Sequence, residues 1–259
     1  MVLTAGRGTS GGVTLWQSGF LPSIHEGVRF RTAGSPILNL ANPDGLPTSL
    51  QRKGLNALAR LHKKQFEATS DEEIQSRISN YELAFCMQAA APESMDLSGG
   101  KQSTLDDYGV NRPDPKKKGN RGGGPGTYAS FANNCLLARR MVERGVHFVN
   151  IFRASWDPHS GLDDGLAHNC GMADQPIAAL IRDLKERGLL DSTMVAWGSE
   201  FGRAPRGENR PGYKKISGRD HHPKAFGAWL AGGGCKGGLS YGETDEIGWE
   251  PGGRSGACE

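Results

Sequence analysis

The chain has 259 residues, of which 36% are hydrophobic, 23% charged and 7% aromatic. Glycine and proline together make up about a fifth of it, which is below the level that is typical of low-complexity chains. This composition excludes disorder, collagen and coiled coil for the bulk of the chain and suits one large domain or two small ones. The net charge of +3 is too small to indicate nucleic-acid binding.

Neither a membrane span nor a disulfide framework is predicted. No apolar run approaches the roughly 18 residues that a transmembrane helix needs, and Met1–Gly12 lacks the pattern of a signal peptide. The five cysteines are odd in number, widely spaced and without a Cys-x-x-Cys pair, so we expect scattered free thiols. No sequence feature indicates an oligomeric state.

The first half of the chain is predicted to be irregular apart from two packing helices. Apolar residues recur at helical spacing over 55–62, and Ser70–Glu73 has the S-x-x-E pattern of a capping box opening a second helix. Residues 111–127 form a basic, glycine-rich loop that is either a solvated insertion or a polyanion-binding segment. The cations that could bind a polyanion are Lys116, Lys117, Lys118 and Arg121.

The second half alternates helices with apolar strands. We expect helices over Cys135–Arg144 and Asp174–Arg187, stopped by glycines at 145 and 188, and strands over Val146–Phe152, Met194–Trp197 and Phe226–Leu230. This alternation predicts an α/β fold with a mixed, largely parallel sheet flanked by helices. Residues 1–127 would be its irregular N-terminal part and 128–250 its α/β part, within one domain overall.

Polar side chains follow the predicted strands. In open α/β sheets, ligands bind just beyond the carboxyl ends of the strands. The first strand leads to Asp157 and His159, the second to Glu200 and Arg203, and residues 218–222 precede the third. We therefore expect these segments to converge on one site.

The residues at these positions suit a metal centre that acts on an oxyanion. A carboxylate with two imidazoles is a good ligand set for a divalent cation such as zinc, and Asp157, His159 and His221 would supply it. Glu200 would hold a second ion or accept a proton. Two guanidinium groups have the planar shape that binds phosphate or sulfate oxygens; they belong to Arg203 and Arg219.

Each of these residues also has a structural interpretation. Asp157 precedes a proline, which is typical of a turn, and His159 fits a surface imidazole. Glu200 is placed to pair with a nearby arginine, while His221 and His222 are placed to cap the following segment. Short motifs of this kind do not decide between the two interpretations.

Longer motifs resemble a known family. The matching stretches cover most of residues 16–248 in order: SGFLPSIHEGVRFR, SPILNL, YELAFCMQAAAPE, CLLARRMVERGVHFVNIF, WDPH, DQPIAALIRDLKERGLLDSTMVAWGSEFGRAP and GRDHHPKAFGAWLAGGGCKGGLSYGETDE. They resemble the sulfatase-like bacterial family called domain of unknown function 1501, of the alkaline phosphatase-like superfamily. The resemblance implies hydrolysis or transfer of sulfate or phosphate esters, on small molecules or polysaccharides, at a metal site.

The resemblance also implies site residues. Asp157 and His159 match an Asp-and-His pair of one metal site, and the GRDH segment matches the superfamily's Gly-x-Asp-His, which adds His221 and its neighbour Asp220 to the expected metal residues. Zinc is the first expectation, with calcium and manganese as alternatives. Glu200 stands where relatives carry an Asp followed by His or Asn, and because a phenylalanine follows it here, we expect a mononuclear site.

The remaining roles follow the same analogy. Arg203 would clamp the oxyanion, and Glu200 or His222 would handle protons. The superfamily places its nucleophile upstream of the first motif seen here, so we expect a fragment that lacks it and has an incomplete C-terminal end, which leaves open whether this chain is active. Relatives are often exported, which implies a periplasmic or exported protein. The alternatives are a non-catalytic relative that binds sulfated polysaccharide or other anions, and a surface protein with a vestigial site.

Overall fold

The computed structural model describes residues 1–5, 11–19, 21, 25–30, 42–97, 99–115, 125–154, 156–199, 202–209, 211–212 and 216–252. Several residues of the sequence analysis lie outside these ranges. They are Glu200, Phe201, Cys258 and the loop cations Lys116, Lys117, Lys118 and Arg121.

A parallel sheet forms the centre of the fold. Strand β1 (Val2–Ala5) lies between β2 (Arg29–Phe30) and β3 (Asn150–Arg153), and it is buried along its whole length. The predicted strand over 146–152 begins four residues late, because Val2 at the start of β1 pairs with Asn150 and leaves 146–149 without a partner strand. The burial of β1 on both of its faces is typical of a strand in a parallel sheet.

Five α-helices accompany the strands in the described part of the chain. They are α1 (Thr48–Thr69), α2 (Glu72–Met95), α3 (Gln102–Tyr108), α4 (Thr127–Glu143) and α5 (Leu162–Glu186). Helices α4 and α5 pack on each other and form the main core, in which Leu136, Met172 and Leu184 are almost completely buried. None of these helices has the length and apolar content that a membrane crossing requires.

Both core helices are longer than their patterns predicted. Helix α5 starts twelve residues before the predicted Asp174 and runs through Pro176, because its first half buries Met172 and Asn169 against the core. This packing outweighs the cost of an internal proline. The predicted stops are confirmed, since Gly145 and Gly188 have φ of 84° and 69°, a region that glycine enters without strain.

The capping box predicted at Ser70 is wrong. Ser70 ends α1 in the left-handed region, with φ of 53°, and its N–H donates to Phe66 O at 2.7 Å. Asp71 caps α2 instead, because its Oδ1 accepts the N–H of Glu73 at 3.0 Å. Only two residues separate α1 from α2, and Ser70, the first of them, is the C-terminal cap of α1.

Two antiparallel strand pairs complete the fold and confirm its mixed α/β class. Strand β4 (Met194–Trp197), which matches its predicted bounds, pairs with β7 (Trp229–Gly232). The third predicted strand is displaced toward the C-terminus, since residues 226–228 lie beyond the end of β4. Strands β5 (Gly202–Arg203) and β6 (His221–His222) form the second pair. The four described cysteines are free, as expected.

Replacing a leucine at the α4–α5 interface should cost far more stability than replacing one on α1. Leu136 is 0% exposed and Leu61 is 62% exposed. We expect Leu136→Ala to lower the free energy of unfolding by about 2–5 kcal/mol, because it leaves a cavity, and Leu61→Ala to change it by less than about 0.5 kcal/mol. Urea unfolding of both variants measures the difference, and equal losses would contradict the assigned core.

Candidate metal centre

Three segments of the chain meet beyond the carboxyl end of β3. Asp157 and His159 follow that strand, Arg203 lies in β5 and His221 in β6. The antiparallel register of β5 and β6 places Arg203 opposite His221. The convergence brings Asp157 next to His221, which is 64 residues away in sequence.

Asp157 is the centre of this cluster. Its Oδ1 lies 2.9 Å from Nε2 of His159 and 2.8 Å from Nε2 of His221, and the same oxygen accepts a hydrogen bond from Nη2 of Arg203. The two imidazole ring centroids are 4.8 Å apart. One carboxylate oxygen thus contacts two imidazoles and one guanidinium group.

The environment keeps the Asp157 carboxylate ionised. Partial burial raises its pKa, but the hydrogen bonds from His221 and Arg203, together with the electrostatic interactions with Arg203 and His159, outweigh burial and hold the pKa below its ordinary value. An ionised carboxylate is the form that binds a cation.

The other side of the His159 ring faces a residue that the sequence analysis missed. Nδ1 of His159 lies 2.7 Å from Oε2 of Glu208. The His159 side chain is 12% exposed and that of Glu208 is 14% exposed, so this contact is largely shielded from solvent. Glu208 lies in a loop after β5 and belongs to no motif. Its closeness in sequence to Arg203 is the only sequence feature that indicates a place in the site.

A close backbone contact holds the site together. Leu162 N–H donates to Ser217 O at 2.7 Å, and Glu208 N–H donates to Gly218 O at 2.9 Å. A Cβ atom on Gly218 would lie 2.0 Å from the carbonyl carbon of His159. Only glycine fits here, and this allows the 216–220 segment to pack directly on the backbone of a candidate ligand.

Asp220 belongs to a second group of candidate ligands. The ligand atoms of His159, Glu208 and Asp220 lie within 4.8 Å of one another, as do those of Asp157, His159 and His221. Asp220 itself is exposed, and its Oδ1 accepts the backbone N–H of His221 at 2.8 Å. The two groups share His159 through opposite ring nitrogens.

His222 is placed away from the cluster. Neighbouring residues of a strand point to opposite faces, and His222 is 5% exposed whereas His221 is exposed. Nε2 of His222 lies 2.5 Å from Trp249 O, and the two rings are 4.4 Å apart. His222 therefore fixes the segment around Trp249 to β6. Glu200, the other residue predicted to handle protons, lies outside the described residues.

The Asp157, His159 and His221 group could hold a metal ion. Two ligands of a tetrahedral zinc ion lie about 3.3 Å apart, and the nitrogens of His159 and His221 are already 2.9 and 2.8 Å from Asp157 Oδ1. Small outward rotations of the side chains would reach the coordination distances. Asp157 and His221 are about one-third exposed, which leaves access for water or substrate.

A comparison with protein families supports the motif-based resemblance. The family described as "Protein of unknown function (DUF1501)" matches residues 1–254. The chain is a DUF1501 protein. Its family, as indicated by the motifs, is thereby confirmed. No curated protein and no solved structure matches the DUF1501 chain.

Adding one methyl group at Gly218 should disturb the site of this DUF1501 protein. Because the new Cβ would overlap the His159 backbone, we expect Gly218→Ala to lower the free energy of unfolding by about 1–3 kcal/mol. Gly227 is the matched control, since a Cβ there meets no atom within 4 Å. Urea unfolding of both variants tests this, and equal stability of the two would contradict the close contact.

The stability contributed by Asp157 should depend on pH. Its pKa is lower in the folded chain than in the unfolded chain, so its contribution is present above pH ~4 and is lost as pH falls through the folded pKa. We expect metal-free Asp157→Asn to be less stable than wild type at neutral pH, with a difference that shrinks below pH ~4. Urea unfolding from neutral pH down to about pH 3 measures this, and a pH-independent difference would exclude it.

Proposed function

We propose that this DUF1501 protein binds one divalent metal ion through Asp157, His159 and His221, and that the centre serves the hydrolysis of sulfate or phosphate esters. The observation that carries the proposal is the convergence of one ionised carboxylate and two imidazoles from two distant segments. Zinc fits this nitrogen-rich set better than calcium or manganese, which prefer oxygen ligands.

Membership of the alkaline phosphatase-like superfamily is part of the proposal. Two features support it besides the motifs. The central strands are parallel, and the candidate ligands follow the carboxyl end of β3, where α/β proteins bind their ligands. The expected substrates are sulfate or phosphate esters of small molecules or polysaccharides.

The metal, when bound, would polarise an ester oxygen and stabilise the negative charge that develops on it. The chain's own residues would hold the reacting groups. Arg203 donates to Asp157 and thereby orients this ligand. Its positive charge would stabilise an oxyanion bound beside the metal. Arg219 is exposed on the adjoining segment and would bind a substrate oxyanion through its planar guanidinium group.

His222 and Glu200 are the residues that the sequence predicts to transfer protons. The contact between His222 and Trp249 O favours an anchoring role for that imidazole rather than the predicted role in proton transfer. The role predicted for Glu200 stays a prediction. A water molecule that enters beside the partly exposed Asp157 and His221 would supply a proton to a leaving group.

Metal content is the direct test of the centre. We expect the purified wild type to carry near-stoichiometric zinc, and Asp157→Ala and His221→Ala to lose it, because each removes one of three ligands. His147→Ala is the matched control, since His147 is an exposed histidine outside the cluster. Elemental mass spectrometry measures the ratio, and circular dichroism verifies folding. Metal-free wild type, or retention in both ligand variants, would overturn the proposed centre.

Ester hydrolysis tests the reaction separately. Nitrophenyl phosphate and nitrophenyl sulfate are the probes, each with and without a chelator. We expect turnover of at least one ester by the zinc-loaded chain, lost in Asp157→Ala and retained in His147→Ala. Zinc binding without turnover, combined with salt-sensitive retention on a sulfated polymer, would contradict the enzyme and favour the anion-binding alternative.

A further inference from the structure

The protonation of the His159 ring determines which of its nitrogens can bind a metal. A neutral imidazole has one N–H donor and one nitrogen with a free lone pair. The hydrogen bond made by one nitrogen sets which of the two is left for a metal. In this structure each nitrogen of His159 faces a different carboxylate, Nε2 facing Asp157 and Nδ1 facing Glu208.

Glu208 is well placed to hold the proton on Nδ1. Its Oε2 is 2.7 Å from this nitrogen, both side chains are largely shielded, and its own backbone N–H is fixed to Gly218 O at 2.9 Å. An ionised carboxylate only accepts hydrogen bonds. Asp157 Oδ1 also faces this ring, but at 2.9 Å and while it accepts a hydrogen bond from Arg203, whereas Glu208 Oε2 lies at 2.7 Å and is better shielded from solvent. The geometry therefore favours a proton on Nδ1, so that the lone pair of Nε2 is left for a metal bound beside Asp157 and His221.

The second group of candidate ligands would require the opposite arrangement. A metal bound by His159, Glu208 and Asp220 would use the Nδ1 lone pair, and a neutral ring cannot then also bind a metal through Nε2. That group offers one nitrogen and two carboxylates, whereas the Asp157 group offers two nitrogens and one carboxylate, which suits zinc better. In addition, Oδ1 of Asp220 already accepts the His221 backbone N–H.

We propose that Glu208 is a positioning residue of the metal centre: it accepts the Nδ1 proton of His159 and thereby presents Nε2 of the same ring to the metal. This inference rests on the proposed function. Glu208 does not contact the ion or the substrate in this arrangement. It fixes the orientation of the ring and increases the electron density on the ligating nitrogen.

Zinc affinity tests the role through a pair of substitutions. Loss of such a carboxylate typically weakens metal binding 10–100-fold, roughly the change we expect for Glu208→Ala. Glu208→Gln keeps an oxygen that accepts the same N–H, so we expect it to restore most of the affinity. Glu186→Ala, on the exposed side of α5, is the matched control. Competition between each folded variant and a zinc-binding dye measures the dissociation constants.

The state of the His159 ring provides a readout independent of activity. Long-range ¹H–¹⁵N spectra of zinc-loaded protein distinguish protonated from metal-bound ring nitrogens. We expect Nδ1 protonated and Nε2 metal-bound in wild type and in Glu208→Gln. In Glu208→Ala, the fraction of rings bound through Nε2 should fall. A structural role of Glu208 alone would change stability without changing this assignment.

The outcomes separate the two proposals. Equal zinc affinity in wild type, Glu208→Gln and Glu208→Ala would overturn the positioning role and leave the centre intact. Loss of zinc in Asp220→Asn and Glu208→Gln, with retention in Asp157→Ala, would overturn it in favour of the Nδ1 group. A folded wild type that binds no zinc would overturn both proposals. Zinc binding without ester hydrolysis would contradict the reaction only.

Discussion

The arrangement of the site depends on one carboxylate oxygen. Oδ1 of Asp157 is in contact with both imidazoles and with the Arg203 guanidinium group. Without a negative charge at this point, the guanidinium group and any protonated imidazole would repel one another, and the side-chain link between Asp157 and β6 would be lost. The lowered pKa of Asp157 has the same origin, because the donors that the carboxylate gathers are those that stabilise its ionised form.

This arrangement also constrains the backbone. The polar groups can meet only if the backbone segments that carry them approach more closely than side chains normally permit. Gly218 lies against the carbonyl of His159, and a Cβ on Gly202 would lie 1.7 Å from Ala225 O. Glycine is needed at both places for close approach and not for an unusual φ. The site therefore depends on glycines that allow close backbone contacts as well as on charged side chains.

The parts of the fold that depend on local pattern could be predicted from the sequence. A short apolar run located strand β4 at its observed bounds, and the rule that ligands bind at strand ends grouped Asp157 with His221. The predictions that failed, and the residue that was missed, depend on contacts between different segments of the chain. Ser70 ends α1 and does not cap α2 as predicted. The contact of Glu208 with His159 depends on how a loop folds back, and no local sequence pattern predicts that.

The 64-residue separation between Asp157 and His221 has a thermodynamic consequence. An ion held by both would act as a cross-link that exists only in the folded chain, joining the segment after β3 to β6 across the whole of α5 and β4. Its contribution would grow with free metal concentration, by about 2.7 kcal/mol at a hundred times the dissociation constant. The abundance of metal in the surroundings would then determine how firmly β6 is attached to the segment that follows β3.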